Sequence, residues 1–207
     1  MSCCLFCKIY EVPGSVVEET VLAESEYFYV KPALGHFVDG YVLIISKDHY
    51  RTFSEMPPAA LQDLAVFKHS LSSLLSSIYK MPTIAFEHGA ACPANRAGSC
   101  IDHAHLHLMP TSARINLEKF RFTRMELNSV VHLSEMENNQ AYLFYEDEFN
   151  TNCFLIDAVL PSQFMRQQLA QALKLGDVWD WRTQQFHDRI YKFVEHFFSM
   201  AQTRKLA

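Results

Sequence analysis

The chain reads as an α+β protein: an antiparallel sheet with flanking helices, followed by a C-terminal α/β extension. Three observations predict this. Short β-rich runs alternate with longer stripes of helical period. Two strand candidates flank a glycine-containing loop, which suits an antiparallel pair. The 207 residues are 49% hydrophobic and 20% charged, enough to bury a core and ordinary for a globular chain. The expected division is residues 1–115 as one domain and 116–207 as an extension, a strand hairpin and two helices packing on it.

Tyr27-Phe-Tyr-Val30 is an aromatic β-type run ended by Lys31-Pro32. Gly35, Asp39 and Gly40 mark turns before Tyr41-Val-Leu-Ile-Ile45, a buried strand that delivers Ser46-Lys-Asp-His49. Pro57-Pro58 opens a helix to about Lys80, since proline is tolerated in a first turn; Leu61, Leu64, Leu71, Leu75 and Ile78 form its stripe. His69 is an ordinary residue of that helix. Pro82 precedes the strand Thr83–Phe86, which ends at Glu87-His88-Gly89. A loop from Ala90 to Ser99 contains Pro93, Asn95 and Gly98, and a histidine-bearing strand follows, ending at Pro110. Residues 111–135 are less readable. Ala141–Tyr145 and Cys153–Ile156 form a hairpin around Glu146-Asp-Glu148 and Asn150. Pro161-Ser162 opens a helix to Leu175, closed near Gly176. Phe186, Ile190, Phe193, Val194 and Phe197 mark a last helix whose aromatic stripe belongs to the core.

The stretch least compatible with ordinary packing is His103-Ala-His-Leu-His107. On a strand its three imidazoles share one face, roughly 6.5–7 Å apart, with Ala104, Leu106 and Leu108 on the other. Burying three together is costly because charging one disfavours charging the next. Such a row can hold phosphates, bind a metal or supply a nucleophile. The net charge of −5 counts against general nucleic-acid binding. Arg114, Lys119, Arg121 and Arg124 are read as a solvated face. No apolar run reaches the ~20 residues of a membrane helix, and Met1–Lys8 has no signal-peptide pattern, so a cytoplasmic protein with no membrane partner is the default expectation. Cysteines at 3, 4, 7, 92, 100 and 153 do not form a secreted disulfide pattern. Cys4-Leu-Phe-Cys7 alone is half a zinc site or a redox pair. His132, His187 and His196 are read as surface or helix residues.

Three separated pieces resemble the histidine triad (HIT) superfamily: His103-Ala-His-Leu-His107-Leu-Met, Cys4-Leu-Phe-Cys7-Lys-Ile of its zinc-containing members, and Asp39-Gly-Tyr-Val-Leu-Ile-Ile-Ser-Lys-Asp-His49. Pro161-Ser-Gln-Phe-Met-Arg166 with Trp179-Asp-Trp181 is similar to the C-terminal region of the CwfJ-like branch, some of whose members work with RNA. The resemblance implies a small antiparallel sheet with helices, a homodimer and a nucleotide substrate. It implies that His105 attacks the α-phosphate and His107 contacts the phosphate oxygens. It places Gly98, Ser99 and Asn95 at the substrate, with backbone N–H groups of the Gly98-Ser99 loop on the oxygens. His88 and Glu87 end a strand beside the site, so His88 is a candidate substrate residue at the leaving group, with a satisfied strand-end pair as the equal alternative. It assigns a structural zinc to Cys4, Cys7, His49 and His103. The chain departs from the pattern at Ser99, where many active members carry Gln, and at Gly40-Tyr41, where Gly-His is usual. It also lacks a clear ribose-binding acid or amide in Lys31–Leu34. The expected activity is a nucleotide hydrolase or a nucleotidyl transferase or phosphorylase. Two other readings stand beside it: a non-catalytic binding module, RNA-related through the CwfJ-like tail, and a catalytic metal held by the three histidines.

Overall fold

The structure, a computed structural model, describes residues 4–11, 16–90, 92, 95, 97–137 and 140–205; Cys3 and Pro93 lie outside them. Its strands are β1 (Ala23–Glu24), β2 (Phe28–Pro32), β3 (Val42–Ser46), β4 (Thr83–Gly89), β5 (His105–Pro110), β6 (Thr123–Glu126), β7 (Tyr142–Glu146) and β8 (Thr151–Leu155). They form one open sheet in the order β1-β2-β3-β5-β4-β7-β8-β6, with antiparallel neighbours throughout. The helices are α1 (Leu5–Glu11), α2 (Pro58–Tyr79), α3 (Phe164–Ala172) and α4 (His187–Lys205). The α+β architecture expected from the sequence is present.

The period-2 alternation assigns the two faces of the sheet. Phe28, Val30, Ile44, Leu106 and Leu108 pack with Leu61, Leu64 and Leu75 of α2 and with Ile190 and Phe193 of α4. Tyr29, Leu43, Ile45, Phe86 and Met109 face the other way, toward Phe6 of α1 and Phe164, Met165 and Leu169 of α3. His105 and His107 alternate with Leu106 and therefore lie on this second face. Strand β5 begins at His105, so His103 sits in the bend just before it rather than within the strand.

The unreadable segment 111–135 contains the edge strand β6 and two short 3₁₀ turns, Glu118–Phe120 and Val130–Glu135. β6 has no buried residue, which removes the apolar alternation that marks a strand in sequence. The hairpin of β7 and β8 does not form a separate layer. β7 pairs directly with β4, placing Phe86 opposite Tyr145 and Gly89 opposite Tyr142. At Gly89 any Cβ would meet the Tyr142 ring within 2.4 Å. That bare backbone lets the ring cross the strand, so its hydroxyl donates to Glu87 Oε2 at 2.7 Å.

Candidate functional site

His105 projects from the first residue of β5 and is 5% exposed. Its Nδ1 lies 2.6 Å from the backbone carbonyl oxygen of His103. A carbonyl can only accept, so Nδ1 carries the proton and Nε2 keeps its lone pair. Phe6 packs edge-on against the ring, with centroids 5.3 Å apart. Burial pushes the imidazole down to about 4, so it is neutral at neutral pH. His107, also held well below the ordinary range by burial, stacks on Phe86 and has Nδ1 2.6 Å from the Tyr41 hydroxyl. Tyr41, noted in the sequence as a departure, thus fixes one of the triad imidazoles.

His103 turns away from its two neighbours. Its Nε2 donates to the Ser46 carbonyl oxygen at 2.7 Å, and its Nδ1 lies 3.3 Å from Cys4 Sγ and 3.6 Å from Cys7 Sγ. His49 Nδ1 is 3.5 Å from Cys7 Sγ. The ligand atoms of Cys4, Cys7, His49 and His103 all lie within 4.8 Å of one another and could hold a metal ion. Both His103 nitrogens are engaged in this arrangement, so the three histidines do not converge on a shared metal. That corrects the third sequence reading: the bend before β5 rotates His103 out of the row.

A cavity of about 330 Å³ opens onto the triad face. His88, His105, His107 and Gly98 line it, as do Phe6 and Ile9 of α1. Two of the residues expected at the substrate face elsewhere. The Ser99 hydroxyl donates to the Ile101 carbonyl at 2.9 Å. Asn95 donates through Nδ2 to the Ile156 carbonyl at 3.2 Å and accepts from the Ala97 N–H, which makes it a loop-shaping residue. His88 lines the cavity while its Nε2 accepts the backbone N–H of Met165, satisfying a free donor in the first turn of α3. Burial pushes it down to about 3. Gly98 has φ +84°, and a Cβ there would meet Phe164 Cβ at 2.9 Å.

The opposite wall comes from the second half of the chain. Gln163 donates its N–H to the Gly98 carbonyl at 2.7 Å and binds Asp180 through its side chain. Arg166, 3% exposed, donates to the carbonyls of Leu34, Gly35 and Trp179. Its guanidinium lies over the Phe37 and Tyr41 rings. Trp181, Gln185 and His187 complete this side, and His187 pairs with Glu18 across the mouth. His187 is the exposed first residue of α4, a surface and helix residue as expected, and it also lines the cavity because the turn before α4 brings it back over Val17–Glu19. Lys31, Glu18 and Arg166 were also missed as lining residues. Their signal in the sequence was weak, since each is a single charge far from the triad. Arg114, Lys119, Arg121 and Arg124 are exposed, and Arg124 pairs with Glu118 and Glu126, as a solvated face should. Among the described residues no helix is long and apolar enough to cross a membrane.

No family model and no curated protein matches the chain. Solved structures do. A protein from Streptococcus mutans UA159 is 27% identical over 53% of this chain, with a TM-score of 0.42; the match spans 66% of that protein, just under two thirds of its length. A HIT family protein from Bacillus anthracis is 18% identical over 59% of this chain and 87% of its own, with a TM-score of 0.46. A zinc-bound histidine triad family protein from Mycobacterium smegmatis is 24% identical over 56% of this chain and 78% of its own, with a TM-score of 0.44.

Proposed function

We propose that the chain is a histidine triad-type nucleotide hydrolase, or a nucleotidyl transferase or phosphorylase, that acts on the α-phosphate of a dinucleoside polyphosphate or related nucleotide. The observation that carries this reading is the hydrogen bond from His105 Nδ1 to the His103 carbonyl. It presents an unprotonated Nε2 on a buried, neutral ring that lines the cavity. A nucleophile needs that lone pair and that protonation state.

In the proposed reaction His105 Nε2 forms a bond to the α-phosphorus as the phosphorus–oxygen bond to the leaving group breaks. The leaving oxygen takes the electron pair. The N–P bond then breaks as water, phosphate or another acceptor adds to phosphorus and gives up its proton, and the imidazole recovers its lone pair. His107, held by Tyr41, contacts the phosphate oxygens. Gly98 brings the loop backbone to the same wall.

The metal site supports a structural zinc. A tetrahedral ion with sulfur near 2.3 Å and nitrogen near 2.0–2.1 Å has S–N edges of about 3.5 Å. The three S–N separations of 3.3, 3.5 and 3.6 Å match that edge. The Ser46 carbonyl on His103 Nε2 leaves Nδ1 unprotonated toward the thiolates, as a ligating histidine requires. Cys4, Cys7, His49 and His103 would hold the ion, and zinc would supply cross-linking of α1 to the start of β5.

The test is nucleoside-monophosphate release from a panel of dinucleoside polyphosphates and nucleotide sugars, with and without added phosphate. Wild type is expected to turn over at least one of them, and His105→Ala to lose on the order of 10⁴-fold in rate. Phosphate dependence separates phosphorylase from hydrolase. A folded wild type that binds nucleotides without turnover would sink the catalytic reading and leave the binding module.

A further inference from the structure

His88 brings a third imidazole to the cavity, and its partner fixes where its proton sits. In the β4–β5 pairing Phe86 lies opposite His107, and His88, two residues further along β4, shares that face. Its ring stands edge-on to the His107 ring, with centroids 5.9 Å apart. The Met165 N–H reaches His88 Nε2 at 3.2 Å. A backbone N–H can only donate, so Nε2 keeps its lone pair and the ring proton sits on Nδ1. A doubly protonated ring would set two N–H groups against each other, so the same contact keeps the ring neutral. Burial, which pushes it down to about 3, acts in the same direction. Gly98 closes the Cδ2 edge, since a Cβ there would meet His88 Cδ2 at 3.2 Å. Nδ1 lies on the other side of the ring. Among the described residues it has no hydrogen-bond partner, and His36 is the only histidine with ring nitrogens both sealed from solvent and unpartnered. The Nδ1–H of His88 therefore opens on the cavity. His105 is its tautomeric opposite: held by a carbonyl, it shows the cavity a lone pair.

We propose that His88 is a phosphate-binding residue whose Nδ1–H donates to a non-bridging oxygen of the phosphoryl group attacked at His105, beside the contact from His107. This role deepens the functional reading above and rests on it for the identity of the anion. The His105 and His107 rings are 4.9 Å apart and those of His107 and His88 5.9 Å, so all three can reach one phosphoryl group whose oxygens accept at about 2.9 Å. His105 gives electrons to phosphorus while His88 receives the charge that builds on oxygen. His88 is a fixed donor and not a general acid, because a neutral imidazole has no proton to release near neutral pH. The charged side chains that act on the three rings are Arg166 and Lys31. The carboxylates of the cavity lie on the 17–19 turn: Glu18 pairs with His187 across the mouth, and Glu18 and Glu19 both offset the charge of Lys31. The cavity surface around the histidines thus offers N–H donors under the influence of cations, which suits an anion.

Equilibrium binding and the tautomer of the ring test this apart from turnover. Inorganic phosphate and the 5′-monophosphates of adenosine, guanosine, cytidine and uridine are titrated into wild type, His88→Gln and His88→Asn. His88→Gln keeps an acceptor for the Met165 N–H and lacks a donor at the Nδ1 position, whereas His88→Asn keeps that donor and loses the Met165 contact. For the tightest-binding monophosphate, His88→Gln is expected to weaken binding about 10-fold with its melting curve unchanged. His88→Asn is expected to restore most of that affinity at a lower melting temperature. On any substrate that wild type turns over, His88→Gln should lose on the order of 10²-fold in kcat. By 15N NMR of wild type, His88 is expected to hold the Nδ1–H tautomer from pH 5 to pH 8, and that N–H to shift when monophosphate binds. This readout stands even where a variant fails to fold. Wild-type affinity in His88→Gln would overturn the assignment, as would an Nε2–H tautomer, an Nδ1–H that ignores bound monophosphate, or a wild type that binds none of the ligands. If wild type turns over no substrate yet its affinity depends on His88 in this way, the proposed reaction fails and the phosphate contact stands.

Discussion

At the residue scale, each of the three histidines lining the cavity on the triad face is held by a partner that defines its hydrogen-bonding role. His105 is fixed by a carbonyl two residues back, His107 by Tyr41, and His88 by an N–H of α3. Glu87, the neighbour of His88, points to the opposite face. It accepts from the Phe53 N–H at 2.8 Å and from the Tyr142 hydroxyl at 2.7 Å. Burial outweighs these two bonds and pushes its carboxyl up to about 8 from an ordinary 4.5. The folded chain therefore holds this proton more tightly than the unfolded chain. The stability that the neutral acid contributes is complete below pH 4.5 and is lost as pH rises to about 8. Glu87→Gln keeps an acceptor for Phe53 and cannot ionise. Its melting temperature is expected to fall less than that of wild type between pH 5 and pH 8; parallel curves would show that Glu87 titrates normally in the fold.

At the element scale, α1 is the segment whose placement depends most on chemistry outside the sheet. It has seven residues, too few to persist as an isolated helix. Cys7 lies within it and Cys4 just before it. Their sulfurs reach His49, beyond the end of β3, and His103, before β5. Between the cysteines Phe6 packs on both His103 and His105. A metal at this site would clamp α1 and, through Phe6, hold the wall of the cavity against His105. Chelation of the purified protein, or Cys4→Ser, is expected to release one zinc per chain and lower the melting temperature by about 10 °C, the equivalent of a few kcal/mol. Turnover should fall with it. Full stability without bound metal would show that the cluster is a set of thiols and imidazoles with no ion.

At the scale of the whole molecule, the two halves of the chain share one sheet and one cavity. β4 is paired on both edges, by β5 from the first half and β7 from the second. Arg166 ties α3 to the Leu34-Gly35 loop, and Gln163 ties it to Gly98. A chain of residues 1–115 would expose the β4 edge and lose one cavity wall. It is expected to aggregate or to lack a cooperative melt by circular dichroism, and a soluble, cooperatively folding fragment would refute that interdependence. The ends of the sheet are a two-residue strand and a strand whose four residues are all exposed, with charges at Arg124 and Glu126. Neither is a good template for another strand. The homodimer implied by the resemblance would pair through a surface other than these edges; light scattering is expected to give twice the mass of one chain, and the mass of one chain would refute the dimer.

The local alphabet of the chain determined the α+β class, the helix opened at 58, the helix carried through the Phe186–Phe197 stripe, and the strand pair around the 90–99 loop, while the full metal set was given by the resemblance and not by the residues alone. The class, the helices and the strand pair are properties of period and turn chemistry, which neighbouring residues settle among themselves. Tertiary structure decided what those residues face. The backbone bend before β5 turned His103 from the row to the cysteines. The pairing of β7 with β4 carried Arg166 and Trp181 to a cavity lined by residues well over a hundred positions earlier. Ser99 was turned aside by the nearby Ile101 carbonyl, and Asn95 by the Ile156 carbonyl of the second half of the chain. Lys31 became a cavity cation only because β2, β3 and β5 align it with His107. Long-range pairing depends on the whole set of strands competing for edges, so no short window of sequence records it.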